Sequence, residues 1–141
     1  MRIGVFGGSF DPVHYGHLLL AESCREASSL DRVLFVPAAT SPHKREQIPT
    51  GARQRVEMLK LAIGGQPTFE VSEIEIERSG VSFTVDTLRE IHRQHPDDEL
   101  YLLMGADLCD EFPTWRQPAE ICQLATLIIV GRPDSPVPDL D

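Results

Sequence analysis

The sequence predicts an α/β protein built on a doubly wound parallel sheet of about five strands with helices on both faces. Two observations carry this. Short apolar runs rich in β-branched and aromatic residues alternate with stretches whose apolar residues recur at spacings of three and four, the pattern of βαβ units. Three of the runs end in glycine, at Gly7-Gly8, Gly105 and Gly131, and ligands of such sheets sit beyond the carboxyl ends of the strands. With 141 residues, 41% of them hydrophobic, the chain can bury one sizeable core and is too short for two ordinary domains. Residues 1–132 read as one domain, and 133–141, with three prolines and three aspartates, as a flexible tail.

The elements follow in order. Arg2 to Phe6 is a buried strand running into the Gly7-Gly8 turn. Tyr15 to Ser28 is a helix whose apolar face is expected to hold Leu20, Cys24 and Ala27. Arg32 to Val36 is a second strand, stopped by Pro37 and followed by the polar loop Thr40 to Thr50. Ala52, Val56, Leu59 and Ile63 mark a second helix, closed by Gly64-Gly65. Phe69 to Ile76 alternates apolar and acidic residues, interrupted around Ser72-Glu73, as a strand with one wet face does. Thr84 can cap a third helix with the stripe Val85, Leu88 and Ile91, and Asp86 suits its positive end. Leu100 to Met104 is a strand, Pro118 opens a short helix reaching Leu124, and Thr126 to Val130 is the fifth apolar run.

Charge narrows the possible partners. The formal net charge is -9, divided as +2 over residues 1–60 and -11 over residues 61–141. A surface that grips nucleic acid through its phosphates is therefore not expected, and any anion site must be local. No uncharged apolar stretch approaches the roughly 20 residues that span a bilayer, and the opening apolar run is too short for a secretory signal, so a cytoplasmic protein without a membrane partner is expected. Cys24, Cys109 and Cys122 have neither CxxC nor zinc-type spacing and read as reduced thiols.

Four segments could carry chemistry. In Gly7-Gly8-Ser9-Phe10-Asp11-Pro12-Val13-His14-Tyr15-Gly16-His17, glycines after a strand let backbone N–H groups approach an anion, and the following helix adds its dipole. His14 and His17 are three apart, so both rings point toward whatever occupies that helix start, as suits a phosphate. The spacing is neither Walker nor GxGxxG; it also accommodates two surface histidines, or a two-histidine metal site that lacks an acidic third ligand. Ser41-Pro42-His43-Lys44-Arg45 concentrates positive charge in a loop that either serves a polyphosphate or is simply solvated. Ser79 to Leu88 gathers hydroxyls, including Ser82 and Thr84, at a helix start, where capping alone explains Thr84. Gly105-Ala106-Asp107 and the single tryptophan, Trp115, offer a ribose acceptor and a stacking surface, or a helix cap and a core residue.

Together these segments resemble the HxGH nucleotidyltransferase superfamily and, more narrowly, the bacterial nicotinate mononucleotide adenylyltransferases. The matching stretches are GGSFDPVHYGH at 7–17, SPHK at 41–44, SGVSFTVDTL at 79–88, GAD at 105–107 with Trp115, and GRP at 131–133. They stand in the family's order and cover nearly the whole chain; HYGH points to the superfamily, and SPHK with SFTVDTL and GAD…W to the narrower group. The resemblance implies a Rossmann-like nucleotidyltransferase domain over 1–132 that transfers AMP from ATP to the phosphate of nicotinate mononucleotide and releases pyrophosphate, in NAD biosynthesis. It implies Mg2+ carried mainly by the ATP phosphates, with no protein side chain as its ligand. It implies catalytic roles for His14, His17 and Lys44, and ATP contacts from Gly7, Gly8, Ser9, Phe10, His14, His17, Gly105 and Asp107. Lys44, Ser82, Thr84 and Trp115 would bind the acceptor, Thr84 and Trp115 at its nicotinate ring. No activated serine or cysteine is visible, and none is needed when two phosphates are aligned and charge is stabilised.

The family ordinarily continues past the GRP strand into a segment with Ile-Ser-Ser-Thr-x-x-Arg that binds ATP phosphates, whereas this sequence stops at Asp141. The expectation is a folded chain that binds ATP weakly and makes the dinucleotide slowly or not at all, with Arg132 and Arg45 the first candidates to take that arginine's place. Two other readings stay open: another HxGH adenylyl- or cytidylyltransferase, disfavoured by SFTVDTL and Trp115, and a non-catalytic nucleotide-binding remnant, favoured by the missing motif. Homo-oligomerisation and nicotinate against nicotinamide preference are left open by the sequence.

Overall fold

A computed structural model describes residues 1–8, 10, 13–39, 51–78 and 83–130. Its strands are β1 (Arg2–Gly8), β2 (Arg32–Pro37), β3 (Phe69–Val71), β4 (Glu99–Gly105) and β5 (Thr126–Val130). The helices are α1 (Tyr15–Ala27), α2 (Ala52–Ile63), α3 (Ile74–Arg78), α4 (Thr84–Gln94) and α5 (Pro118–Leu124), with single 3-10 turns at Ala106–Leu108 and Phe112–Thr114. The strands pair in parallel in the order β3-β2-β1-β4-β5. The sheet thus grows to one side of β1 through β2 and β3, then resumes on the other side with β4 and β5. The reversal between β1 and β4 opens the crevice in which sheets of this kind place ligands.

Each face of the sheet has its own core. On one, Ile3 and Val5 of β1 with Leu100 and Leu102 of β4 pack against Val85, Leu88 and Ile91 of α4 and Ile121 of α5. On the other, Phe6, Phe35 and Leu103 meet Ala21 and Cys24 of α1 and Leu59 and Ile63 of α2. The doubly wound sheet expected from the sequence is therefore the observed one, and β1 lies at its centre.

Several local expectations are corrected. The glycines after Phe6 extend β1 instead of turning: Gly7 and Gly8 pair with Val36 and Pro37. The buried face of α1 holds Ala21 and Cys24; Leu20 is half-buried and packs against that core, while Ala27, expected on the same face, is exposed. The Phe69 to Ile76 strand stops at Val71, and Ile74–Arg78 is helical. Period-two spacing there loses to tertiary contacts. Ile74 packs into the first core, and Glu75 turns inward to accept a 2.5 Å hydrogen bond from the Thr87 hydroxyl, which in turn accepts one from Arg78 at 3.0 Å. Thr84 is the first helical residue of α4 and not its cap; Phe83 holds that position and supplies no side-chain bond.

The Glu75–Thr87–Arg78 network ties α3 to the opening turns of α4. Thr87→Val keeps the shape and deletes the hydroxyl, so a buried carboxylate loses one of its donors. Stability is expected to fall by about 1–3 kcal/mol. Thermal denaturation reads this directly; an unchanged melting temperature would show that the remaining partners of Glu75 suffice.

Candidate active site

At the carboxyl end of β1 the chain reaches Phe10, whose φ of 48 lies in the left-handed region that non-glycine residues enter at a cost on the order of 1 kcal/mol. Its ring is 2% exposed and lodges between Phe6 and Phe35, with centroids 5.3 and 5.7 Å away. What Phe10 can offer a ligand is its backbone. The ring of His17 rests against this aromatic group, 5.0 Å from Phe10 and 6.0 Å from Phe6.

His14 is the N-cap of α1 and His17 the third residue of its first turn, and the two cap the helix reciprocally. The Gly16 N–H donates to His14 Nδ1 at 3.1 Å, and the His14 N–H donates to His17 Nδ1 at 3.0 Å. The rings stack with centroids 3.8 Å apart and planes 26° from parallel. Because each Nδ1 accepts a bond, the proton of each neutral ring sits on Nε2. The pair therefore presents two N–H donors beside the positive end of a helix, which suits an anion. A protonated Nε2 has no lone pair for a metal, so the same bonds argue against the two-histidine metal site. Among the described residues no three His, Cys, Asp or Glu side chains stand close enough to hold a metal ion.

Gly16 makes this arrangement possible. A Cβ there would lie 2.9 Å from His14 Cε1 and 3.0 Å from Nδ1, so any side chain pushes the ring off the helix start. Gly7 and Gly8 are different: a Cβ would come no closer than 3.9 Å to the Val36 carbonyl and 3.6 Å to the Phe10 ring, respectively. Among the described residues nothing needs those two positions bare. Glycine at these positions leaves the backbone open to close approach.

On the opposite face of the sheet stand Thr84 at the start of α4 and Trp115 after the second 3-10 turn. Trp115 is half-buried, packs on the first core, and its ring lies 5.4 Å from that of Phe112. Arg116 carries its guanidinium over the Phe83 ring, 3.7 Å from the centroid. Gln117, at φ 53 and ψ 53, then turns the chain sharply into α5. Arg89 of α4 pairs with Glu120 of α5 and, at 3.0 Å, with Asp86; its hydrogen bond holds the Glu120 carboxyl below the usual range. This ties α4, which carries Thr84 in its first turn, to α5, which opens three residues after Trp115.

The structure thus gathers Gly7, Gly8, Phe10, His14 and His17 around the end of β1, with Thr84 and Trp115 on the other face of the same sheet. Gly105 ends β4, and Asp107 lies within the turn that follows, where Gly105 and not Asp107 is the cap. Ser9, Lys44 and Ser82 lie outside the described residues, as do Arg45, Gly131 and Arg132. The sequence reading missed Arg55, which is 1% exposed and donates to the Ala38 carbonyl at 2.7 Å just beyond β2. Its signal was its place beside the stripe Ala52, Val56, Leu59. No disulfide joins the three cysteines, and burial pushes the Cys24 thiol up to about 11, which leaves it unreactive. No helix among the described residues is long and apolar enough to cross a membrane.

Comparison with known proteins identifies the family. Residues 5–140 match the family model described as cytidylyltransferase-like. A Thermus thermophilus protein named "Probable nicotinate-nucleotide adenylyltransferase" is 50% identical over 137 residues, covering 97% of this chain and 73% of that protein. A Geobacillus thermodenitrificans protein of the same name is 43% identical over 132 residues, covering 94% of this chain, which spans only 61% of that relative's length. Among solved structures, Plasmodium falciparum nicotinic acid mononucleotide adenylyltransferase complexed with NaAD shares the fold with a TM-score of 0.83 at 20% identity, over 97% of this chain and 67% of that one. On these matches the chain belongs to the cytidylyltransferase-like family, in its nicotinate-nucleotide adenylyltransferase branch.

Proposed function

We propose that the protein transfers AMP from ATP to nicotinate mononucleotide, giving nicotinate adenine dinucleotide and pyrophosphate. A phosphate oxygen of the mononucleotide attacks the α-phosphorus of ATP. The bond from that phosphorus to the bridging oxygen breaks, and pyrophosphate leaves with the electron pair. The observation that carries this reading is the stacked histidine pair, whose capping bonds commit both rings to Nε2–H donation at a helix start beside two bare glycines. Gly7, Gly8, Ser9 and the Phe10 backbone approach the ATP phosphates, and His14 and His17 stabilise the leaving pyrophosphate with help from Lys44. Gly105 and Asp107 meet the ribose, while Ser82, Thr84 and Trp115 hold the acceptor. Mg2+ enters with ATP, carried on its phosphates, and no side chain of the chain is assigned to it. The partners are small molecules and the location the cytoplasm; nucleic acid is disfavoured by the net charge of -9.

The test is pyrophosphate release with ATP, nicotinate mononucleotide and Mg2+, on the 141-residue chain and on the same chain extended by a segment carrying the serine/threonine–arginine motif. Release from the extended form with nicotinate mononucleotide as acceptor supports the reading, and its absence there overturns it. In that form Trp115→Ala is expected to raise KM for nicotinate mononucleotide about 10-fold and leave KM for ATP nearly unchanged, because stacking on one substrate is ground-state binding of that substrate alone. Equal losses for both substrates would make Trp115 a support of the core.

A further inference from the structure

We propose that Arg116 is the specificity-determining residue of the acceptor pocket, supplying the cation that pairs with a carboxylate on the acceptor's aromatic ring and so favours it over the uncharged carboxamide. The inference rests on the assignment of Thr84 and Trp115 to the acceptor made above, and extends it to a residue no part of that assignment uses.

Three observations support it. First, Arg116 follows Trp115 in the chain while Phe83 precedes Thr84, and the 3.7 Å approach of the Arg116 guanidinium to the Phe83 ring joins these two pairs. The cation therefore spans the very elements that would flank the acceptor ring. Second, its contact leaves its hydrogen-bonding capacity open. A guanidinium over a π face is held through its flat side, and its N–H groups radiate from the edge, in the geometry that meets a carboxylate with two parallel bonds. Third, the charge around it is otherwise spent. Of the five arginines in residues 61–141, Arg89 and Arg93 are ion-paired, Arg78 donates to Thr87, and Arg132 lies outside the described residues. Arg116 has no carboxylate within ion-pair distance among the described residues, in the half of the chain that carries a charge of -11.

The backbone reinforces the placement. Gln117 adopts φ 53 and ψ 53, a conformation a β-carbon disfavours, directly after Arg116 and directly before Pro118 opens α5. A strained residue persists where its surroundings over-determine it, and such residues concentrate at ligand sites. Here the bend turns the chain from Arg116 directly into α5.

Trp115 is the chain's single tryptophan, so its fluorescence reports the pocket directly. The purified 141-residue chain is titrated with nicotinate mononucleotide and, separately, with nicotinamide mononucleotide. The unaltered protein is expected to bind the carboxylate form more tightly by about 10-fold or more, the effect of a charge-assisted bidentate pair. Arg116→Gln raises Kd for nicotinate mononucleotide by about that factor and leaves Kd for nicotinamide mononucleotide within about 2-fold, while Arg116→Lys, keeping charge but losing the fork, recovers part of the preference. A parallel rise in both Kd values means that Arg116 merely shapes the pocket, and no change in either means that it does not reach the ring; each result overturns the proposal. If the unaltered protein binds both mononucleotides equally well, the inference about Arg116 fails while the acceptor assignment stands. If neither mononucleotide alters the fluorescence, the acceptor assignment falls, and this inference with it.

Discussion

His17→Ala is expected to lower kcat for AMP transfer by at least ~100-fold, the usual scale for losing a preorganised donor aimed at developing charge. The measurement is made on the chain extended by a segment carrying the serine/threonine–arginine motif. From spacing alone the variant should melt normally. The capping bonds change that expectation: His17 Nδ1 accepts the His14 N–H at 3.0 Å, and His17 supports the stacked His14 ring. Losing a cap costs about 0.5–2 kcal/mol, so the alanine variant is also expected to melt a few degrees lower. A second variant separates the two roles. Asparagine can place an acceptor where Nδ1 stood and has no atom at the position of Nε2, so His17→Asn should recover most of the stability and none of the rate. Normal turnover in His17→Asn would remove Nε2 from the chemistry and leave the pair as a helix cap.

The sheet was legible because β1, β2, β4 and β5 are built on continuous apolar runs and the helices α2 and α4 carry clear stripes. Val85, Leu88 and Ile91 are all buried as their spacing predicts, and so are Val56, Leu59 and Ile63. What failed depended on contacts distant in sequence. The spacing of Ile74 and Ile76 fits a strand until Glu75 finds the Thr87 hydroxyl 12 residues away. In α1, Ala21 is fully buried while Leu20 packs only half-buried against the same core, a distinction that periodicity alone does not make. In the site, the histidine spacing located the pair and its shared direction. Its tautomer was not legible, because histidine is not a preferred capping residue and nothing in the spacing shows that the rings cap each other. The pairing of Arg116 with Phe83 joins segments far apart in the chain, and only the packing of α4 beside α5 brings them together.

Gly8→Ala should act on stability and function in opposite directions. The residue lies at the end of β1, pairs with Pro37, and its carbonyl accepts the Ala38 N–H at 2.9 Å, none of which requires a bare backbone. An added Cβ would meet the Phe10 ring at 3.6 to 3.8 Å, an ordinary van der Waals contact, with no left-handed backbone to strain. Alanine also has fewer conformations to lose on folding, which stabilises by about 0.4–1 kcal/mol and should raise the melting temperature by about 2–4 °C. The same methyl points to the face of β1 that carries Phe10 and His17, where the ATP phosphates would approach the strand end. Displacing those phosphates by about 1 Å misaligns them with the two Nε2–H donors and can cost on the order of 100-fold in kcat/KM. Gly7→Ala, whose methyl would meet, among the described residues, only the Val36 carbonyl at 3.9 Å, provides a second variant expected to fold normally. Melting curves and pyrophosphate release measured on the same preparations decide the matter. A Gly8→Ala protein that melts higher and turns over normally would show that nothing approaches the strand end closely, which would remove Gly8 from the phosphate site. One that melts lower would mean that Phe10 cannot yield to the methyl, and the glycine would then serve the packing of the aromatic cluster.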